Sequence, residues 1–242
     1  MPAPSQQTLL PTRRVAMYLV GSRGDVQPFI SLILKLKQQV EIDATKFGPA
    51  VVRVYVPAEF ESLLRPFTMD GQAFSFKVLP HFEVKKRMQT DPDVRAAMTT
   101  GNNKDIGKLL LRKTFLDHMN KDAFVALHDM MEFKPDVIVY NYAACLYGDT
   151  IAQILKIPAV LIGMQMMGSY SSVEAPWALD PKVAKRLPGW AIRIFWSLML
   201  MDMYKKTLAM KEYTFALRKA NSLPPLSFKE YKAIVFGKRA GS

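Results

Sequence analysis

The chain has 242 residues, 50% of them hydrophobic and 22% charged, which suffices for a sizeable core in one large or two small domains and excludes a disordered polymer. Lysine and arginine outnumber acidic residues 33 to 21, and the formal net charge of +12 points to an anionic membrane, an acidic protein partner, a nucleic acid, a basic organelle interior, or simply a solvated basic surface. One cysteine and three widely spaced histidines exclude an internal disulfide framework and offer no metal-ligand grouping. No apolar run reaches the roughly 20 residues of a bilayer-spanning helix. The basic residues are scattered rather than interleaved with aromatics, so no specific nucleic-acid binding is predicted.

Residues 1–13 read as an extension. No acidic residue precedes Asp25, and Arg13 and Arg14 close the segment, a hint of organelle targeting. Three prolines leave no amphipathic helix of useful length there, and the apolar core of a secretory signal is missing. A mitochondrial location is therefore expected ahead of a peripheral position on a cytoplasmic membrane.

From 15 to 20 an apolar run of strand length ends at Gly21. A polar turn, Gly21-Ser22-Arg23-Gly24-Asp25-Val26-Gln27, leads to Pro28, after which Phe29, Ile30, Ile33, Leu34 and Leu36 recur at helical spacing. Pro28 suits a helix's first turn, so the helix is predicted to begin there. Strand, glycine turn and helix form the opening unit of an α/β sheet, in which ligands sit at the carboxyl ends of strands. Asp25 then has two readings. It is a carboxylate over a pocket mouth, or a helix cap behind a glycine-permitted turn.

Residues 38–50 look polar and irregular, and a second strand is predicted at 51–56, stopped by Pro57. A short helix over 58–66 should turn Phe60, Leu63 and Leu64 inward, and 73–79 alternates as a half-exposed strand. This β-α-β-α-β order implies parallel strands joined by right-handed crossovers. The stretch 80–104 has no regular pattern; Asp91-Pro92 and Gly101-Asn102-Asn103 read as turn signals, and His81 as a loop residue. A helix is predicted over 105–131 from Ile106, Leu109, Leu110, Phe115, Leu116, Met119, Phe124, Leu127 and Met131, with His118 and His128 as structural residues. A strand at 137–140 ends at Asn141, which either stops the strand or lines a pocket. A helix over 143–155 buries the Cys145 thiol, and a strand follows at 159–162. The most apolar stretch is WAIRIFWSLMLMDMY at 190–204, too short to span a bilayer and interrupted by Arg193 and Asp202. Trp190, Trp196 and Tyr204 there are candidate contacts to a membrane interface or a partner; a helix buried against the sheet explains the stretch equally.

The string GSRGDVQPF after a buried strand closely resembles the first loop of the sterol and lipid glycosyltransferases, which share the MurG-like, two-domain GT-B fold. Pro135 to Asn141 (PDVIVYN), Ile151 to Pro158 (IAQILKIP) and Phe215 to Leu226 (FALRKANSLPPL, with Arg218) are similar to further segments of that family's first domain, so the resemblance runs from about Arg14 to Ser227. It implies a single GT-B N-terminal-type domain over 14–228, with a Rossmann-like, mostly parallel sheet flanked by helices, and a tail over 229–242. It also implies that Asp25 is the acceptor base of any transfer reaction, and that Gly21, Ser22, Arg23, Gly24, Gln27, Asn141 and Gln165 bind the acceptor. Two departures stand out. The turn before the second strand is lengthened and lacks the family's histidine, and Gln165 is followed by Met166 and Met167 where relatives carry proline and threonine. Met164, Met166 and Met167 line a lipid pocket or fill the core.

In that family a second domain holds the nucleotide sugar, with a glycine-rich loop and a helix N-terminus aimed at the diphosphate. No second loop of that kind follows in this sequence. The expectation is a glycosyltransferase-derived domain that binds no cofactor itself and meets a UDP-sugar only through a partner domain. It would serve as a structural or accessory subunit, alongside other protein subunits, of a larger membrane-associated, mitochondrial assembly. Two alternatives stand: the acceptor-binding subunit of a split UDP-glucose:sterol/lipid glucosyltransferase, and a sterol- or lipid-binding module.

Overall fold

The computed structural model of the protein describes residues 11–42, 49–67, 74–81, 86, 89–100, 113–163, 181–209 and 215–235. Strand β1 (Arg13–Tyr18) opens the fold and is followed by helix α1 (Arg23–Ile42) and strand β2 (Ala50–Pro57). A short helical segment comes next, α2 (Glu61–Leu64) between tight turns at Ala58–Phe60 and Arg65–Phe67, and leads to β3 (Phe74–Leu79). Helices α3 (Pro92–Thr100) and α4 (Lys113–Phe133) precede β4 (Val137–Asn141). After a turn at Tyr142–Ala144 come α5 (Cys145–Leu155) and β5 (Ala159–Ile162). Helices α6 (Pro181–Ala184), α7 (Gly189–Ala209), α8 (Ala216–Ala220) and α9 (Phe228–Val235) complete the described chain.

The five strands form one parallel sheet in the order β3-β2-β1-β4-β5. β1 is central, with Val15 opposite Val52 on one side and Val137 on the other. Strand periodicity divides its side chains between two cores. Met17 and Leu19 join Val52, Val54 and Val56 under α1, where Val26, Phe29 and Ile33 close the layer. Ala16, Tyr18 and Val20 face the opposite way, against Met119, Ala123, Ala126 and Met130 of α4 and Ile151 of α5. Burial of a side chain such as Phe29 contributes about 1.5–3 kcal/mol, and its ring is fully enclosed.

The expected α/β, parallel-sheet architecture is the observed one, and several boundaries differ. β1 begins at Arg13 rather than at 15; Arg14 donates its backbone N–H to Asp136 Oδ2 (2.7 Å) and its guanidinium to Phe133 O (3.0 Å), so both arginines belong to the sheet. α1 begins at Arg23, five residues before Pro28, and extends to Ile42 through part of the stretch predicted to be irregular. Part of the patternless 80–104 stretch is helix α3, because Asp91 caps it: Oδ1 accepts the N–H groups of Asp93 (3.0 Å) and Val94 (3.3 Å), with Pro92 at the first helical position. In α4, Phe124 and Met131 face solvent while Ala123, Ala126 and Met130 face the sheet. The predicted helical residues Ile106, Leu109 and Leu110, and Gln165 with the methionines around it, lie outside the described residues.

Candidate functional site

Strand order reverses between β1 and β4, and the chains leaving their carboxyl ends serve opposite faces, α1 on one and α5 on the other. Such a switch point opens a crevice where α/β sheets bind ligands. The loop after β1 carries Gly21 to Asp25, and β4 ends in Asn141, so these predicted site residues meet there.

The Asp25 side chain caps the start of α1 through Ser22, whose backbone carbonyl accepts the Asp25 N–H (2.9 Å). Ser22 precedes the first residue of α1, and Asp25 Oδ2 accepts both the backbone N–H (2.8 Å) and the hydroxyl (2.8 Å) of Ser22. A carboxylate at this end also complements the positive pole of the helix dipole. Gly21 makes the closure sterically feasible. Its φ is +117°, and a Cβ there would lie 2.6 Å from Asp25 Oδ2. Asp25 Oδ1 has no hydrogen-bond partner among the described residues.

Asn141 ties the two loops together. Its Oδ1 accepts from Val20 N (3.3 Å) and Ala144 N (3.3 Å), while Nδ2 donates to Val20 O (2.6 Å) and Asp25 O (3.4 Å). The side chain is buried, and its amide serves the protein's own backbone, so Asn141 positions the Asp25 loop rather than projecting into the crevice. Arg23 and Gln27 are exposed on the first turns of α1 and paired, Arg23 Nε donating to Gln27 Oε1 at 2.9 Å. Gly24 is exposed, and among the described residues a Cβ added there would meet only Ser22 Oγ, at 3.6 Å, which leaves room over the backbone for an incoming molecule.

The remaining candidates fall elsewhere. His81 is exposed; its backbone N–H donates to Asp122 Oδ1 (3.0 Å), a buried carboxylate of α4 that pins the chain leaving β3. Periodicity gave no warning of Asp122, because an acid between apolar helix positions reads as solvent-facing. His128 is exposed beside Glu132, 3.8 Å away, and among the described residues no group of three metal-ligating side chains exists. Burial pushes the Cys145 thiol up to about 12, which keeps it protonated and unreactive at neutral pH.

Of the aromatic contacts expected at 190–204, Trp196 needs correction. Trp196 is buried and does not face outward; Tyr204 is half-buried and packs against Phe228 and Tyr231, with its hydroxyl donated to Leu226 O (2.7 Å). Trp190 is 67% exposed. Among the described residues no helix is long and apolar enough to cross a membrane.

No family model matches the chain, and no curated protein matches it. Solved structures do. The calicheamicin glycosyltransferase aligns with 92% of this chain and 44% of its own length, at 12% identity and a TM-score of 0.52. The kitacinnamycin glycosyltransferase covers 90% of this chain and 43% of its own (16% identity, TM-score 0.49), and a Streptomyces sp. SF2575 glycosyltransferase 72% and 42% (16% identity, TM-score 0.40). The chain thus spans less than half the length of each. At such identities the likeness is one of fold, and the fold of this chain is the parallel α/β fold found in GT-B glycosyltransferases.

Proposed function

We propose that this chain is a glycosyltransferase-derived, acceptor-side unit that does not transfer sugar by itself and acts as an accessory subunit of a larger, membrane-associated assembly. The observation that carries this reading is the closure of Asp25 on Ser22. A helix N-terminus after a glycine turn is where an α/β sheet would cradle a phosphate. Here the first turn of α1 is already occupied by a carboxylate, with Oδ2 against Gly21 and both donors of Ser22 engaged. A nucleotide diphosphate brought to that point would meet negative charge, so this helix end offers no seat for an activated sugar. The cap also gives Asp25 a structural role that requires no catalysis. A mitochondrial setting belongs to the same proposal, motivated by the net charge of +12 and the absence of acidic residues before Asp25.

Asp25 Oδ1, unpartnered among the described residues, favours one second reading. In a split UDP-glucose:sterol or lipid glucosyltransferase, that oxygen accepts the proton of an acceptor hydroxyl lying over Gly24, while a separate nucleotide-sugar domain stabilises the departing diphosphate. The experiment is purification from the native source, identification of what accompanies the chain, and a UDP-glucose transfer assay on sterol and lipid acceptors with the isolated chain and with the assembly. The accessory reading expects no transfer from either. Transfer by the assembly that disappears in Asp25→Asn, with the assembly intact, replaces it with the split enzyme. Transfer by the isolated chain overturns both.

A further inference from the structure

Helix α7 is apolar on every side, and the structure divides its faces. Ile192, Trp196 and Leu200 are buried, Leu200 against Tyr231 and Val235 of α9. Trp190, Ile194 and Leu198 are four residues apart, so they form one row along the opposite face. They are 67%, 48% and 60% exposed, and Phe195 flanks them at 39%. The row extends about 12 Å along the helix at the usual rise per residue. Val183 of α6, just before it, is exposed too. Cations surround the row: Lys185 and Arg186 ahead of it, Arg193 beside it and Lys205 beyond it, all exposed. Asp202 is the single acid between 181 and 209, and it is paired with Lys206.

We propose that this outward row of α7 docks on an anionic lipid bilayer surface, with the helix lying in the interface plane. The proposal rests on the membrane association in the preceding reading and names the surface that makes it, and it holds whether or not sugar is transferred. Trp190 and the aliphatic row enter the boundary between headgroups and acyl chains, while the lysines and arginines reach the lipid phosphates. Charge decides against a second copy of the chain as the occupant, because a symmetric contact would bring the same cations face to face. Area agrees, since four partly exposed side chains offer well below the roughly 800 Å² per partner of a stable protein interface.

The test uses the full chain with vesicles of phosphatidylcholine alone and of phosphatidylcholine mixed with phosphatidylserine, read by flotation and by quenching of tryptophan fluorescence with brominated lipid. The expected result is co-flotation with the mixed vesicles, weakened by salt, and little with phosphatidylcholine alone. The Ile194→Glu/Leu198→Glu variant, whose changes lie at exposed positions and should leave thermal melting intact, is expected to lose at least about tenfold in partitioning, since two apolar contacts are replaced by charges. Absence of binding to mixed vesicles overturns the proposal. Equal binding by the folded double variant also overturns it, because the attraction would then be charge alone. A concentration-dependent dimer in light scattering that the same variant dissolves would assign the row to a second copy instead.

Discussion

Ser22 and Asp25 answer each other's hydrogen-bonding needs across one helical turn, and Gly21 is the residue that allows it. Two contributions meet at Gly21: a backbone conformation unfavourable to other residues, and contact with Asp25 Oδ2. Asp25→Ala removes the acceptor of both Ser22 donors and should cost about 1 kcal/mol, the usual loss on deleting a helix cap, read as a lower urea midpoint. Gly21→Ala should cost about 1–3 kcal/mol from strain. Made together, the two changes should cost less than their sum, because the clash with Oδ2 is gone. Strict additivity would mean that φ alone accounts for the glycine. Asn141 belongs to the same scale. Its four backbone contacts tie the Asp25 loop to the carboxyl ends of β1 and β4.

Between elements, the contact most open to a pH test joins α4 to the β2–β3 edge. Asp129 of α4 accepts from Arg53 (3.0 Å) and Tyr55 (2.9 Å) of β2, and Lys77 of β3 lies 3.5 Å away. Arg53 also covers the Phe133 ring at 4.5 Å. Burial by itself would push the Asp129 carboxyl up, but hydrogen bonds from Arg53 and Tyr55 and the charges of Arg53 and Lys77 outweigh it and hold it below its ordinary value. The folded state therefore prefers the ionised form more strongly than the unfolded chain does. The resulting stability is complete above the unfolded carboxylate value of about 3.9 and is lost as pH falls through the lower folded value. Asp129→Asn should be less stable than the parent at about pH 7, with the difference shrinking on acidification below about pH 4. Urea midpoints across that range check it, and an undiminished gap at low pH would contradict the assignment.

For the whole molecule, the question is what fastens the C-terminal helices to the sheet. Arg218 of α8 is buried, donating from Nε to Pro224 O (2.8 Å) and from Nη1 to Gln153 Oε1 of α5 (3.1 Å). A buried guanidinium bonded in this way links the segment after α8 to the layer covering the sheet. Arg218→Met keeps much of the stem but leaves these acceptors unpaired, and should cost on the order of 1.5–3 kcal/mol for each lost charged hydrogen bond. Hydrogen exchange should show α8 and α9 opening before β1 and β4. Uniform loss of protection would mean instead that these helices and the sheet unfold as one unit.

The local code carried much of this fold. Short apolar runs bounded by proline or asparagine marked β2, β4 and β5 nearly to the residue, and the glycine turn marked the loop at the switch point. That is because strand period, turn chemistry and cap preference act between neighbours in sequence. The start of α1 was misread because Pro28 is the louder signal, although Ser22 and Asp25 already satisfy the helix end. Which of Trp190 and Trp196 turns outward could not be read at all, since a helix apolar on every side carries no amphipathic signal. Tertiary packing made that choice, burying Trp196 on the face that carries Leu200 onto α9, just as contact across 121 residues joined Asn141 to Val20. The chain alone thus determined the elements and the residue types at the crevice, and only their assembly in space decided which side chains hold the protein together and which face outward.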